Sequence, residues 1–259
     1  MSGALAGRKV LVVGAGTRAS DDPDAPVGNG RAIAVVAGRA GATVACADLD
    51  VDAAAFTAAL VEAEGSTAHV LGGDVTDADT CAGLVEQAAT AMGGLDGLVL
   101  NVGIGAGSGM GGTTPEQWDL VFAVNVRAHF LLAGAALGMM PEGGSIVFIS
   151  SIAGLTAGTR IPSYDSSKSA LTGLCRQTAA EGARKGIRAN VVAPGLIDTP
   201  LGRAATGGRP SRAKAPVPLG RQGTAWEVAE PVVFLLSDAA SYITSQLLAV
   251  DGGLTGCRG

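Results

Sequence analysis

The stretch "LVVGAGTRASDDPDAPVGNGRAIAVVAGRAGATVACADLD", residues 11–50, decides the fold. A short apolar strand leads into Gly14, and Gly28 and Gly30 open an alanine-rich helical stretch that is followed by a second strand. Glycine lets a backbone approach a pyrophosphate closely, and a helix N-terminus presents free N–H groups and partial positive charge. The stretch therefore predicts a strand–helix–strand unit with a phosphate-binding turn.

The same alternation continues along the whole chain. Apolar strands are predicted at 9–13, 43–47, 67–71, 97–100, 145–149, 188–192 and 247–250, and helices near 30–40, 52–64, 77–92, 115–138, 163–185 and 225–237. Continuously apolar strands are typical of a sheet covered on both faces. The pattern predicts an α/β fold in which residues 1–259 form a single doubly wound, Rossmann-like parallel sheet with helices on both faces.

Composition narrows the class of protein. Hydrophobic residues make up 47% of the 259, which favours a large core over disorder, and a net charge of −5 argues against nucleic-acid binding. The four scattered cysteines, at 46, 81, 175 and 257, suit free thiols and predict no metal site. The start of the chain lacks a signal-peptide pattern and the longest apolar run, "FLLAGAALGMM", is short, so we expect a cytoplasmic protein with no membrane association.

Two acidic residues bear on a dinucleotide. Asp48 ends the second strand, where a carboxylate can accept hydrogen bonds from ribose hydroxyls and repel a 2′-phosphate. It favours NAD over NADP as the cofactor, although a plain surface aspartate at a strand end is the alternative. Asp74 is predicted to end the third strand and is placed either beside the adenine or in the N-cap region of the helix at 77–92.

A tyrosine and a lysine supply candidate chemistry. Tyr164 and Lys168 stand four residues apart, so they share one face of a helix and the ammonium can lie near the phenol. A nearby positive charge stabilises a phenolate and lowers the pKa of a phenol. Ser151 lies 13 residues before Tyr164, at the carboxyl end of a strand, which is the edge where open α/β sheets bind ligands.

Taken together, these residues resemble the short-chain dehydrogenase/reductase family, and the resemblance covers essentially the whole chain. Besides the glycine turn, the motifs that carry it are "LVLNVGI" (98–104), "VNVRAHF" (124–130), "ISSIAG" (149–154), "YDSSK" (164–168), "PGLIDTPL" (194–201) and the segment from "PLGRQG" to "AVDGG" (218–253).

The resemblance implies a role for four catalytic residues. Tyr164 would be the general acid/base, and Lys168 would lower its pKa and bind the nicotinamide ribose. Ser151 would orient the substrate oxygen, and Asn125 would hold a water that relays protons from Lys168. Read singly, each has a structural alternative, such as helix packing for the tyrosine or a turn for the serine.

The resemblance also implies the cofactor contacts, with Thr199 and the Ile197 backbone near the carboxamide. The implied NAD-binding residues are Gly14, Gly28, Asn29, Gly30, Asp48, Leu49, Asp74, Val75, Asn101, Gly103, Tyr164, Lys168, Pro194, Gly195, Ile197 and Thr199.

Three departures from the family pattern stand out. The turn between Gly14 and Gly28 holds ten extra residues, about 18–27, made acidic by aspartates at 21, 22 and 24. Val13 stands where the family has Thr, and Leu100 where it has the first Asn of an NNAG segment. Because a longer surface loop costs little closure entropy, we expect the insertion to be a flap or a tolerated bulge, or an inert surface loop, and not a broken site.

A basic segment points to the substrate. Residues 199–218 correspond to a mobile substrate lid, and its four cations are Arg203, Arg209, Arg212 and Lys214. They favour a substrate with an anionic group, such as a carboxylate, a phosphate or an acyl-carrier thioester. A solvated basic lid is the ordinary alternative.

The sequence thus predicts an NAD(H)-dependent oxidoreductase that interconverts a secondary alcohol and a ketone. A 3-oxoacyl-thioester reductase is the alternative within the same chemistry, and a non-catalytic dinucleotide-binding module is the alternative outside it. The resemblance implies a homotetramer in which the helices at 115–138 and 163–185 pack between subunits.

Overall fold

The architecture is that of a computed structural model, in which residues 3–17, 24–207 and 217–257 are described. Of the predicted acidic insertion, residues 18–23 lie outside that part of the chain. So do residues 208–216 of the predicted lid, with the cations at 209, 212 and 214.

The centre of the fold is a seven-stranded sheet in which all neighbouring strands are parallel, in the order β3-β2-β1-β4-β5-β6-β9. Its strands are β1 (Lys9–Val13), β2 (Thr43–Asp48), β3 (Ala68–Gly72), β4 (Gly97–Leu100), β5 (Ser145–Ile149), β6 (Arg188–Pro194) and β9 (Leu247–Val250). The short β7 (Ile197–Asp198) and β8 (Gly223–Thr224) form a separate parallel pair.

Helices cover both faces of the sheet, as the apolar strands predict. They are α1 (Asn29–Arg39), α2 (Val51–Ala63), α3 (Ala78–Met92), α4 (Pro115–Phe122), α5 (Ala128–Met139), α6 (Pro162–Gly182), α7 (Pro200–Gly207) and α8 (Ala225–Leu236). One core joins the sheet to α1, α2 and α8, and the other joins it to α3, α5 and α6. The predicted α/β class and doubly wound sheet are confirmed.

The predicted helix at 115–138 is present at Pro115–Met139, with one departure from regular α-helical geometry. Between α4 and α5 the chain makes a π-helical turn at Ala123–Arg127, which holds Asn125. A π turn adds a residue to the helix repeat, and such turns are frequent at functional sites. Here the buried Asn125 amide bonds to backbone groups outside the helix.

Part of the predicted lid segment is helical, because α7 covers Pro200–Gly207. Thr199 accepts a hydrogen bond from the Gly202 N–H through its hydroxyl, at 3.0 Å, and so caps the start of α7. Pro200 fits the first position of the helix because it needs no backbone N–H there.

The helix at Pro115–Met139 is longer than the apolar run within it suggests. By length and composition alone this 25-residue helix would suffice to cross a membrane, since an 18-residue window within it has a mean hydropathy of 1.7. The core helices of water-soluble proteins pass the same test, and α5 packs here against α3 and α6. The expectation of no membrane association therefore stays a prediction.

The strand order reverses between β1 and β4, the neighbours at the centre of the sheet. Gly14 follows β1 and Asn101 follows β4, and the Asn101 Nδ2 donates a hydrogen bond of 2.7 Å to the Gly14 carbonyl. Ligands of open α/β sheets bind outside the carboxyl ends of the strands at such a reversal.

Candidate active site

A cavity of about 770 Å³ opens at this edge of the sheet. Its walls come from the ends of β1, β2, β4 and β5, from the start of α1 and from α6. Of the sequence-predicted residues, it is lined by Gly14, Gly28, Asn29, Asp48, Leu49, Asp74, Val75, Asn101, Gly103, Tyr164, Lys168 and Thr199. The predicted residues Gly30, Asn125, Ser151, Pro194, Gly195 and Ile197 are not among those that line it.

The glycine turn keeps its close packing despite the insertion. Gly14 has φ +85°, where L side chains are strained, and a Cβ there would lie 2.9 Å from Val102. A Cβ on Gly30 would overlap the Gly14 carbonyl and approach Asn101 Nδ2 to 2.6 Å. The turn therefore needs glycine at both positions.

The ends of the insertion are held together. The Gly28 N–H donates to the Thr17 hydroxyl at 3.0 Å, so the chain leaves and re-enters the turn at adjoining points. Among the described residues, no side chain caps the first turn of α1, whose N-terminus borders the cavity. The observed turn is intact, as expected of a tolerated insertion.

Asp48 holds the turn from the next strand. Its Oδ2 accepts a hydrogen bond from the Gly16 N–H at 2.7 Å, and its Oδ1 accepts one from the Asp50 N–H at 3.1 Å. A carboxylate has about four lone-pair positions, so it retains acceptor capacity toward the cavity. The plain surface reading of Asp48 does not fit these contacts.

Asp74 lies on the cavity wall two residues beyond the end of β3, and does not itself end the strand. The N-cap of α3 is Asp77, whose carboxylate accepts from the Thr80 N–H at 2.8 Å, so the capping alternative for Asp74 is wrong. Asp74 accepts instead from the Thr76 N–H at 2.9 Å.

Tyr164 and Lys168 meet at the inner end of the cavity. Lys168 is buried, its Nζ donates to the Ile149 carbonyl at 3.0 Å, and the same nitrogen lies 5.8 Å from the centre of the Tyr164 ring. Burial lowers the pKa of Lys168 to about 8. A Cβ on Gly103 would come within 2.8 Å of the ammonium, so Gly103 lies directly against it.

Ser151 lies two residues beyond the end of β5 and caps the single helical turn Ile152–Gly154 by accepting from the Ala153 N–H at 3.2 Å. It is half-buried. The neighbouring Ser150 lines the cavity, and its hydroxyl donates to the Lys168 carbonyl at 2.7 Å. Ser150 therefore holds α6, whereas the Ser151 hydroxyl bonds the helical turn that follows β5.

Asn125 is buried and its amide is extensively bonded. Its Oδ1 accepts from the Ile104 N–H, and its Nδ2 donates to the Ile104 carbonyl and to the Ser167 hydroxyl, each at 2.9 Å. Both amide N–H donors are therefore used by protein groups, so any relay water must bond elsewhere on this residue.

The remaining predicted contacts lie where β6 ends. The Gly195 N–H donates to the Val250 carbonyl at 2.9 Å, and Ile197 pairs with Gly223 in the small sheet. The lid cation Arg203 forms a two-pronged ion pair with Asp198, with nitrogen–oxygen distances of 2.7 and 2.9 Å. This pairing weakens the prediction that Arg203 serves a substrate anion.

The lining residues fit a nicotinamide dinucleotide. Gly14, Gly16 and Gly28 line the cavity with backbone alone, and the α1 N-terminus offers backbone donors. The buried Asn29 Oδ1 has no hydrogen-bond partner among the described residues, and a ligand hydroxyl would satisfy it.

Comparison with known proteins agrees with this site. Residues 26–255 match a family model described as enoyl-(acyl carrier protein) reductase. The chain is 40% identical to 2-(S)-hydroxypropyl-CoM dehydrogenase 3 of Xanthobacter autotrophicus over 88% of this chain and 92% of that protein. It is 36% identical to an L-rhamnose 1-dehydrogenase (NAD(P)(+)) of a Sphingomonas species, over 96% of this chain and 97% of the other.

Among solved structures, a short-chain type dehydrogenase/reductase from Mycobacterium marinum superposes with a TM-score of 0.90 at 31% identity, covering 98% of this chain and 97% of that one. The chain belongs to the short-chain dehydrogenase/reductase family, whose oxidoreductases use a nicotinamide dinucleotide.

Three groups that contribute to the site were not predicted from the sequence. The Ile149 carbonyl that holds Lys168 is a backbone group and leaves no sequence signal. Thr17 borders the insertion, where the glycines give the stronger sequence signal for the turn. His129 is buried one helical turn after Asn125, and that four-residue spacing was available as a signal.

Proposed function

We propose that the protein is an NAD(H)-dependent oxidoreductase that interconverts a secondary alcohol and a ketone. The observation that carries the proposal is the buried Lys168 ammonium beside the Tyr164 ring, at the inner end of a cavity shaped for a dinucleotide. A module that only binds a dinucleotide has no need of a charged group buried against a phenol.

The bound nicotinamide would supply or accept the hydride, with Lys168 and Thr199 on the wall that holds it. Tyr164 exchanges the proton with the substrate oxygen. The Lys168 charge stabilises the phenolate that results from proton release, because opposite charges attract strongly in a buried site. The Ser151 hydroxyl hydrogen-bonds the same oxygen, and Asn125 holds the wall behind Lys168 through Ile104.

We propose NAD as the preferred cofactor because of Asp48. Its carboxylate lies at the end of β2 against the glycine turn, where it would repel a 2′-phosphate. The L-rhamnose 1-dehydrogenase relative is named for NAD(P)(+), so relatives of this chain do not decide the preference.

We propose a small secondary alcohol as the substrate class. The relative from Xanthobacter is named for a 2-hydroxypropyl compound, which is a secondary alcohol. A relative from Thermotoga maritima, 33% identical and named 3-oxoacyl-[acyl-carrier-protein] reductase, favours a 3-oxoacyl-thioester reductase as the second candidate. Because Arg203 is paired with Asp198, an anionic group on the substrate would compete with that carboxylate for the guanidinium.

Two measurements test the proposal. Titrating the protein with NADH and NADPH gives both dissociation constants, and NADH is expected to bind more tightly. A panel of secondary alcohols with NAD, run beside acetoacetyl thioesters with each reduced cofactor, separates the two candidate functions. Silence across both panels with intact NADH binding would favour a binding module.

A further inference from the structure

His129 is a buried group that the proposed chemistry does not use. It lies in α5, is fully buried, and its Nε2 is 3.1 Å from the Val102 carbonyl. Its ring lies at a tilt against Phe148, with centroids 6.2 Å apart. A polar ring this deep in the core needs a reason, because burying a polar group without a partner is costly.

The tautomer of His129 follows from its surroundings. Val102 offers only an acceptor, so Nε2 must carry the proton, and Nδ1 is buried without a hydrogen-bond partner among the described residues. Burial, and then the nearby charge of Lys168, lower the pKa of His129 to about 3. The imidazole is therefore neutral at working pH and is excluded as a proton shuttle.

The carbonyl that His129 holds lies at the middle of a cavity wall. Residues 101–104 line the cavity between the glycine turn and Lys168. Asn101 bonds the Gly14 carbonyl, and Gly103 lies against the Lys168 ammonium. Val102 itself packs directly on Gly14, so a displacement of this residue would move both ends of the wall.

Two side chains from one helix face form hydrogen bonds to the backbone of the wall at residues 101–104. Asn125 bonds both backbone groups of Ile104, and His129, four residues later, bonds the carbonyl of Val102. Residues four apart share a helix face, and here the first lies in the π turn and the second in α5. These hydrogen bonds restrict movement of the wall.

We propose that His129 is a positioning residue whose Nε2–H holds the Val102 carbonyl and thereby sets the cofactor-binding wall formed by residues 101–104. This inference rests on the proposed dinucleotide function of the cavity. Without the donor, the Val102 carbonyl would be left buried and unpaired, and it would turn toward water in the cavity, where it would intrude on the cofactor.

Cofactor affinity tests the inference through two substitutions at the same site. His129→Leu removes the donor at similar volume, and NADH is expected to bind about tenfold more weakly, the scale of one lost hydrogen bond. His129→Gln places an amide N–H near the position of Nε2, and it should restore affinity to within about threefold of the unmodified protein.

Ser145→Ala is the matched control. Its hydroxyl also donates from a buried side chain to a backbone carbonyl, that of Leu235 at 2.9 Å, but it stands at the opposite end of β5. This variant should lose thermal stability and keep NADH affinity. Equal NADH affinity in His129→Leu and the unmodified protein would overturn the inference, as would an equal loss in Ser145→Ala.

A second measurement needs no disruptive variant. The sequence has two histidines, so His69→Gln leaves the imidazole of His129 as the only one. Nitrogen-15 NMR of this protein should show the Nε2–H tautomer at pH 7, and its resonance should move when NADH is added. An Nδ1–H tautomer, or no movement on binding, would overturn the inference even if His129→Leu fails to fold.

The outcomes separate the two proposals. If the unmodified protein binds neither NADH nor NADPH, the dinucleotide function fails and the role of His129 falls with it. If NADH binds and the affinity ignores His129→Leu, only the positioning role fails.

Discussion

The Lys168 Nζ lies 5.8 Å from the centre of the Tyr164 ring and is held there by a 3.0 Å hydrogen bond to the Ile149 carbonyl. The backbone of β5 thus fixes a charge whose own helix, α6, carries the phenol. Because the ammonium is buried, its field on the ring is weakly screened. The four-residue spacing places Tyr164 and Lys168 side by side on α6, and the position of Lys168 at the edge of the sheet buries its ammonium.

The burial of Lys168 has a measurable effect on stability. Its pKa is lowered from 10.5 to about 8, so the folded protein bears the full desolvation cost below pH 8, and loses that cost as pH rises toward 10.5. Lys168→Met removes the titrating group. Relative to the unmodified protein, the free energy of unfolding of this variant should fall by about 2 kcal/mol between pH 7 and pH 9.5. Urea denaturation at several pH values measures this difference, and a pH-independent offset would contradict the burial of the charge.

Asp48 is expected to set the cofactor preference. Asp48→Asn removes the charge but keeps an oxygen that accepts from the Gly16 N–H, so the glycine turn should survive. The ratio of NADPH to NADH affinity should rise at least tenfold, on the scale of one relieved charge repulsion. Asp52→Asn makes the same charge change on the exposed first turn of α2 and is the control. If both variants shift the ratio equally, the charge of Asp48 does not set the cofactor preference.

Gly30 is expected to tolerate no side chain. A Cβ would overlap the Gly14 carbonyl, so Gly30→Ala should push β1 and α1 apart, abolish NADH binding and cost about 1–3 kcal/mol of stability. Gly83→Ala in α3 meets only the end of a flexible glutamine and should raise stability slightly. Cofactor titration and thermal unfolding of the pair test the turn, and normal NADH affinity in Gly30→Ala would contradict its geometry.

We expect a homotetramer, and the surface offers a reason. Phe130 is 58% exposed, and Trp118, Leu120 and Met139 on the same pair of helices, α4 and α5, are also exposed. Exposed apolar patches mark interaction surfaces, and the exposed apolar residues of α4 and α5 make this helix pair a candidate for one. Phe130→Lys should therefore lower the mass found by light scattering. An unmodified protein that runs as a monomer would refute the expectation.

Most of the fold was predictable because it depends on patterns that a sequence displays. The apolar strands predicted the seven-stranded sheet. The glycine turn and Asp48 predicted the position of the cavity, at the carboxyl ends of β1 and β2. The π turn at Asn125 was not predictable, since a helix that gains one residue keeps its apolar composition. Backbone partners such as the Ile149 carbonyl escaped for a similar reason, because every residue has a carbonyl and only the fold selects one.

Two predictions depended on competing local interactions. The segment after Thr199 reads as a loop by its glycine and proline content, yet the Thr199 cap and the Arg203–Asp198 ion pair favour α7. Asp74 and Asp77 are both placed to cap α3, and only the three-residue distance to Thr80 distinguishes Asp77. Such choices are settled by geometry that residue type alone does not convey.

The most direct test of the account is turnover by Tyr164→Phe, which removes only the phenol oxygen. The enzyme account predicts loss of alcohol oxidation by at least a thousandfold, consistent with the loss of a general acid/base, while NADH affinity stays within about threefold. Activity that persists near the level of the unmodified protein would contradict the assignment of Tyr164 as the proton-transferring group, and with it the proposed chemistry of the site.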